Sequence, residues 1–134
     1  MKRHMIAMAL AIGAPGASAS AQALGNNLVE QGRQVFQAHC DACHGPGIGN
    51  PGAAYRTGTD ALRVKYHGTL PALLAERRDL TPEMVSYFVR NGVSVMAPYR
   101  KTEISGPQLA ALGAYLSRNN PGVQTAKGMR RGKR

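Results

Sequence analysis

The sequence predicts an all-α domain in which helices alternate with long loops. Two stretches near the ends, residues 26–39 and 105–118, repeat apolar side chains at helical spacing. Alternating Val, Ile and Thr runs of the kind that mark strands are scarce between them. Residues 45–58 hold five glycines and two prolines, which forbids regular structure and points to a loop shaped around something.

The first residues read as an address. Lys2 and Arg3 precede an apolar run at residues 5–14 and then small residues at 17–23, with Ala19-Ser20-Ala21 or Ala21-Gln22-Ala23 as cleavage boxes. A spanning helix needs roughly 20 apolar residues, more than this run supplies. Residues 1–23 are therefore expected to be a secretory signal, and the mature chain to begin near Gln22 or Leu24 and work in the periplasm. The remainder suits one domain, residues 24–122.

The first helix is expected to start near Asn26 or Asn27, both good caps. Leu28, Val35, Phe36 and His39 share one face, and Gly32 lies on the same face. Glycine inside a helix costs about 1 kcal/mol relative to alanine, so its presence suggests that another backbone approaches closely. Short helices are expected at residues 59–66 and 71–78. The next clear helix covers 82–91, with Thr81 as cap, Pro82 at the first helical position and Asn91-Gly92 as the stop; Val85, Phe88 and Val89 form its buried stripe. Pro98 excludes a helix from residues 93–104, which should be extended. Ser105 and Gln108 have capping-box spacing, and the helix they open should run to about Arg118 before Asn119-Asn120-Pro121-Gly122 ends it. Leu109, Leu112, Tyr115 and Leu116 make its apolar face, with Ala111 and Gly113 keeping its flanks narrow.

The formal charge of +10 looks like a nucleic-acid signal until it is divided by region. Lys2 and Arg3 leave with the signal, and residues 127–134 carry five basic side chains and no acid. Residues 24–126 keep ten basic and seven acidic residues. The tail, residues 123–134, is expected to be disordered and solvated, and an acidic protein partner or an anionic membrane surface fits it better than DNA does.

The only two cysteines stand in Cys40-Asp41-Ala42-Cys43-His44. A dithiol that exchanges with disulfides belongs in a βαβ context. A structural zinc site needs four ligands, and only His39, His44 and His67 are available to complete one. The third reading is haem: thiols at i and i+3 lie on adjacent helical turns, within reach of two vinyl carbons on one porphyrin edge, with the following His beneath the iron.

Through Gly32-x-x-Val35-Phe36, the Cys40 to His44 motif and the Leu109 to Leu116 helix, the chain resembles class I c-type cytochromes over the whole mature domain. The resemblance implies a fold in which the first and last helices cross nearly at right angles, Gly32 and Phe36 meeting Leu112, Tyr115 and Leu116. It implies one haem c, attached covalently through Cys40 and Cys43 and enclosed by loops, with its iron on His44 and a methionine. Of six methionines, Met96 is the candidate, since the others lie in the signal, the tail or the start of a helix. Family members more often have Met directly before Pro, whereas Ala97 intervenes here before Pro98. A proline carbonyl, assigned to Pro51 in preference to Pro46, is expected to accept from the His44 ring. Arg100, Lys101, Tyr55 and Tyr99 are candidates for haem propionate contacts or docking, and His39 and His67 for surface roles.

Two protein ligands leave no open iron position, so the implied function is one-electron transfer and not catalysis. A Met ligand also raises the potential relative to a second His, which suits electrons passing from a dehydrogenase toward a terminal oxidase. The segment from Asp79-Leu80-Thr81-Pro82 through Met96 to Ser105 resembles small cytochrome subunits of p-cresol methylhydroxylase-type complexes, where a flavoprotein oxidises a phenolic substrate. Two alternatives remain: a sensor or a gas- or peroxide-binding enzyme in which Met96 dissociates, and a disulfide oxidoreductase using Cys40 and Cys43.

Overall fold

Helices α1 (Ala17–His39) and α5 (Gly106–Leu116) meet at Gly32 in the computed structural model, which describes residues 17–131 and the side chains of 25–129. A Cβ on Gly32 would overlap the carbonyl oxygen of Ala111 and lie 2.7 Å from the Tyr115 Cβ. Only glycine permits this approach. Phe36 packs one turn further along α1 with its ring centroid 5.7 Å from that of Tyr115, and Leu112 is fully buried beside them. The expected contact between the first and last helices of the domain is present, with the Ala111 backbone set against Gly32.

Helix α1 begins earlier than the caps at Asn26 and Asn27 suggest. Its first turns are rich in alanine, the strongest helix former, and they continue the helix without a break. Leu28 is exposed, so the buried face starts at Gly32. Most of the expected secretory signal, residues 1–16, lies outside the described residues. Among those described, no helix is long and apolar enough to cross a membrane.

After α1 the chain makes a single turn, α2 (Asp41–His44), whose amides at Cys43 and His44 both bond the Cys40 carbonyl at 3.1 and 2.8 Å. The glycine-rich loop then returns to α3 (Thr57–Tyr66). Its far end is tied back by Arg56, whose Nη1 donates to Asp41 Oδ2 at 2.7 Å and to the Asp41 carbonyl. Residues 71–78 do not form the expected helix; one 3₁₀ turn, Leu74–Glu76, replaces it. Side chains hold this stretch irregular. Arg118 and Asn119 donate to the Ala75 carbonyl at 2.7 and 3.0 Å. Arg77, only 3 % exposed, folds onto Asp79 at 2.6 and 2.5 Å and over the Tyr66 ring.

Helix α4 (Pro82–Asn91) follows the prediction: Thr81 accepts from the Met84 amide, Pro82 opens the helix and Gly92 closes it. Val85 and Val89 are buried, but Phe88 is exposed alongside Met84. The apolar stripe of α4 is thus wider than its buried part. Pro82 rests against α5, where a Cβ on Gly113 would lie 3.2 Å from the Pro82 Cα.

Residues 93–104 are not extended throughout, because a turn stands at each end of the segment. Val93 and Met96 bond each other's backbone at 3.0 and 2.9 Å, with Ser94 at φ 53°, and the amides of Glu103 and Ile104 bond the Arg100 carbonyl. Proline excludes the helix without enforcing extension. Helix α5 opens with the expected capping box, Ser105 Oγ accepting from the Gln108 amide and Gln108 Oε1 from the Ser105 amide.

The tail expected to be disordered forms a helix, α6 (Pro121–Arg131), through its described part. Asn120 starts it by accepting from the Gly122 amide at 2.9 Å, and its own amide nitrogen donates to the Leu80 carbonyl at 2.9 Å. Asn-Pro serves equally well as an N-cap and a first helical proline, so the residues that stop α5 also start the next helix. The described residues contain no strand, so the all-α expectation holds.

The packing leads to two measurable expectations. Gly32→Ala forces a methyl into the Ala111 backbone and should lower stability by about 1–3 kcal/mol in urea unfolding, while Gly25→Ala, with open space around it, should not. Asp79→Asn strips the buried Arg77 of its carboxylate. Arg77 holds the Asp79 carboxyl below its usual range through hydrogen bonds and charge, so the stabilisation is complete above the ordinary carboxylate value and is lost as pH falls through the lowered one. Stability titrated on the acid side should therefore fall more steeply in the parent than in Asp79→Asn.

Candidate functional site

The break between α1 and α2 sets the two cysteines apart in character. Cys40 packs against the buried core with Leu74, Tyr99 and Tyr115, while Cys43 is exposed. Burial, helped by the charges of Asp41 and Cys43, pushes the Cys40 thiol up to about 11. Disulfide exchange requires a thiolate, so Cys40 is poorly suited to it. A thioether at that position carries no charge and is at home in the core.

His44 ends α2 with its ring pressed against α3. A Cβ on Gly58 would lie 2.6 Å from His44 Cε1 and 2.8 Å from Nδ1, so the imidazole occupies the space a side chain would take. Thr59, the next residue, bonds the Gly45 carbonyl at 3.1 Å and fixes α3 beneath the motif. Burial lowers the His44 pKa, favouring the neutral imidazole, which is the form that binds a metal. Nδ1 is buried without a hydrogen-bond partner. The bond expected from this ring to the Pro51 carbonyl is not formed. The turn around Pro51 closes on itself, Ala53 donating to Asn50 at 2.8 Å and Gly49 to Ala53 at 3.2 Å, and leaves Pro51 exposed.

Met96 lies half-buried at the end of the Val93 turn. The loop that carries it is joined to the motif through Tyr99, whose hydroxyl donates to the His39 carbonyl at 2.7 Å. This hydroxyl, a candidate for a haem propionate, is therefore engaged within the fold. Arg100 is 80 % exposed and pairs with Glu103, its amide at 2.8 Å and its Nε at 3.3 Å; such pairs add little stability. Tyr55 is exposed, with Arg63 over its ring. His39 stands edge-on to Tyr99 at 5.8 Å, and His67 caps α3 in a left-handed conformation at the surface. Among the described residues, no three His, Cys, Asp or Glu side chains gather as a metal site, which leaves the zinc reading without a ligand set.

These features fit a haem c. Two free thiols stand at i and i+3, a neutral imidazole is held beside them with one nitrogen enclosed, and glycine occupies the position where any side chain would displace the ring. Met84, Phe88, Val93 and Val95 add exposed apolar surface on α4 and on the Met96 turn. Sequence reasoning missed Gly58 and the Arg56–Asp41 tie. Gly58 had no individual signal among so many loop glycines, and Arg56 lies 15 positions from its partner.

Site and fold together define a c-type cytochrome, a haem domain of electron transfer. Residues 27–116 match the model of the family described as cytochrome C oxidase, cbb3-type, subunit III, and the chain belongs to that family. No curated protein matches it.

Gly58→Val should push the His44 ring out of its place. Protein produced with haem-maturation machinery should then show reduced haem content or an altered low-spin spectrum, with helical circular dichroism largely retained; an unchanged spectrum would show that the ring does not depend on this contact.

Proposed function

We propose that the chain is an exported, periplasmic carrier of single electrons holding one covalently attached haem c. The observation that carries this reading is the Cys40 to His44 turn, with its buried neutral imidazole against Gly58, in a chain of a c-type cytochrome family. Cys40 and Cys43 would hold the group by thioether bonds. His44 would hold the iron through Nε2, because Nδ1 is enclosed by the fold, and Met96 would supply a sulfur ligand. When bound, the haem supplies a one-electron couple, which burial and its ligands tune.

The protein's own share is to keep the His44 and Met96 side chains in place, exclude water and offer a surface for brief encounters. The donor is a dehydrogenase, for which the likeness of residues 79–105 to p-cresol methylhydroxylase-type cytochrome subunits favours a flavoprotein oxidising phenols or alcohols. A terminal oxidase or another respiratory acceptor takes the electrons onward. The basic residues 127–134 suit an acidic face on one of these partners.

Absorption spectra of the exported protein, oxidised and reduced, test the reading. The expected result is a c-type spectrum with a weak near-infrared sulfur-to-iron band that Met96→Ala abolishes. Haem with no such band and rapid carbon monoxide binding would indicate an open iron and a sensor or enzyme. Absence of haem, with Cys40 and Cys43 titrating as free thiols, would return the motif to thiol chemistry.

A further inference from the structure

Every polar group of Tyr99 is engaged, the backbone pair by α4 and the hydroxyl by α1. Its amide donates to the Val89 carbonyl at 2.8 Å, and its carbonyl accepts from Arg90 Nη1 at 2.9 Å, while Arg90 Nη2 donates to the Ile104 carbonyl at 2.7 Å. These bonds fasten the loop after Met96 to the end of α4. The hydroxyl reaches the opposite way, to the His39 carbonyl at the end of α1. That carbonyl needs a partner, because the Cys43 amide, four residues on, bonds the Cys40 carbonyl instead.

We infer that Tyr99 is a positioning residue: its hydroxyl clasps the Met96 loop to the residue just before the first haem-anchoring cysteine, and so sets how readily the methionine leaves the iron. The inference rests on the reading of Met96 as the sulfur ligand. The loop is closed at its near side by the Val93–Met96 turn, which hangs from Gly92 at the end of α4. The loop's other hydrogen bonds described above therefore run to α4 or stay within the loop. The hydroxyl bond joins it to α1, the helix that leads into Cys40. Loss of one ordinary hydrogen bond shifts an opening equilibrium by about three- to tenfold.

The test compares the mature haem protein with Tyr99→Phe, which keeps the ring against His39 and removes only the hydroxyl. Hydrogen exchange at the bonded amides of residues 93–99, those of Val93, Met96 and Tyr99, should quicken by about three- to tenfold. Titration of the oxidised protein with imidazole should show tighter apparent binding by the same factor, since an added ligand binds in proportion to the open population. Tyr87→Phe, at an exposed position on α4, should change neither. Unchanged exchange at residues 93–99 would overturn the clasp, and faster exchange with unchanged imidazole affinity would overturn its effect on the ligand. Absence of the sulfur-to-iron band in the parent would instead overturn Met96 as ligand, with exchange still deciding whether the clasp exists.

Discussion

The approach of α1 to the Ala111 carbonyl at Gly32 is the constraint on which the rest of this fold depends. It brings two helix backbones closer than any side chain would allow, and the other contacts are arranged around it. Phe36 and Tyr115 pack beside the crossing, Leu112 and Leu116 fill the interior, and α5 in turn receives Pro82 and the start of α4. Because Cys40 lies one turn beyond Phe36, the crossing also decides where the motif leaves the core. A position that costs helix propensity locally is thus offset by the placement of everything C-terminal to it.

What could be read from the sequence depends on the range of the interactions involved. The capping box at Ser105, the Thr81-Pro82 opening and the close approach at Gly32 depend on a few adjacent residues or on one unusual residue type, and all three were legible. The Cys40 to His44 turn was legible for the same reason, since its chemistry lies within five consecutive positions. Phe88 and residues 71–78 differ from expectation, and the Pro51 carbonyl does not meet the His44 ring, because environments of this kind are decided at a distance. Phe88 lies beside a buried stripe without belonging to it, the Pro51 turn satisfies its own backbone, and Arg118 and Asn119 capture the Ala75 carbonyl from 43 and 44 positions away. Gly58 and Tyr99 carry no local signature. Their roles exist only once α3 lies under His44 and the Met96 loop reaches the end of α1.

Arginine does much of the long-range fastening. Arg90 joins two carbonyls of the loop after Met96, Arg118 joins Tyr115 to Ala75, and Arg56 closes the glycine-rich loop on Asp41. A guanidinium stays charged over the whole accessible pH range and offers several donors in a fixed plane. Such side chains suit loops whose backbone groups lack helical partners, and they account for part of the positive charge of residues 24–126 in structural terms. Residues 127–134 add five basic side chains and no acid within their own stretch.

The order in which the chain is made gives the helix crossing a further meaning. Its two halves sit at residues 32 and 111, so the contact forms late, after nearly the whole domain has emerged, and only against the entropy of closing a long loop. Until then Cys40 has no core to retire into, and the Gly45 to Gly58 loop has no closed fold to lie against. The state in which both cysteines of the motif are fully accessible is therefore the incomplete chain, and assembly of α5 brings Cys40 against the core.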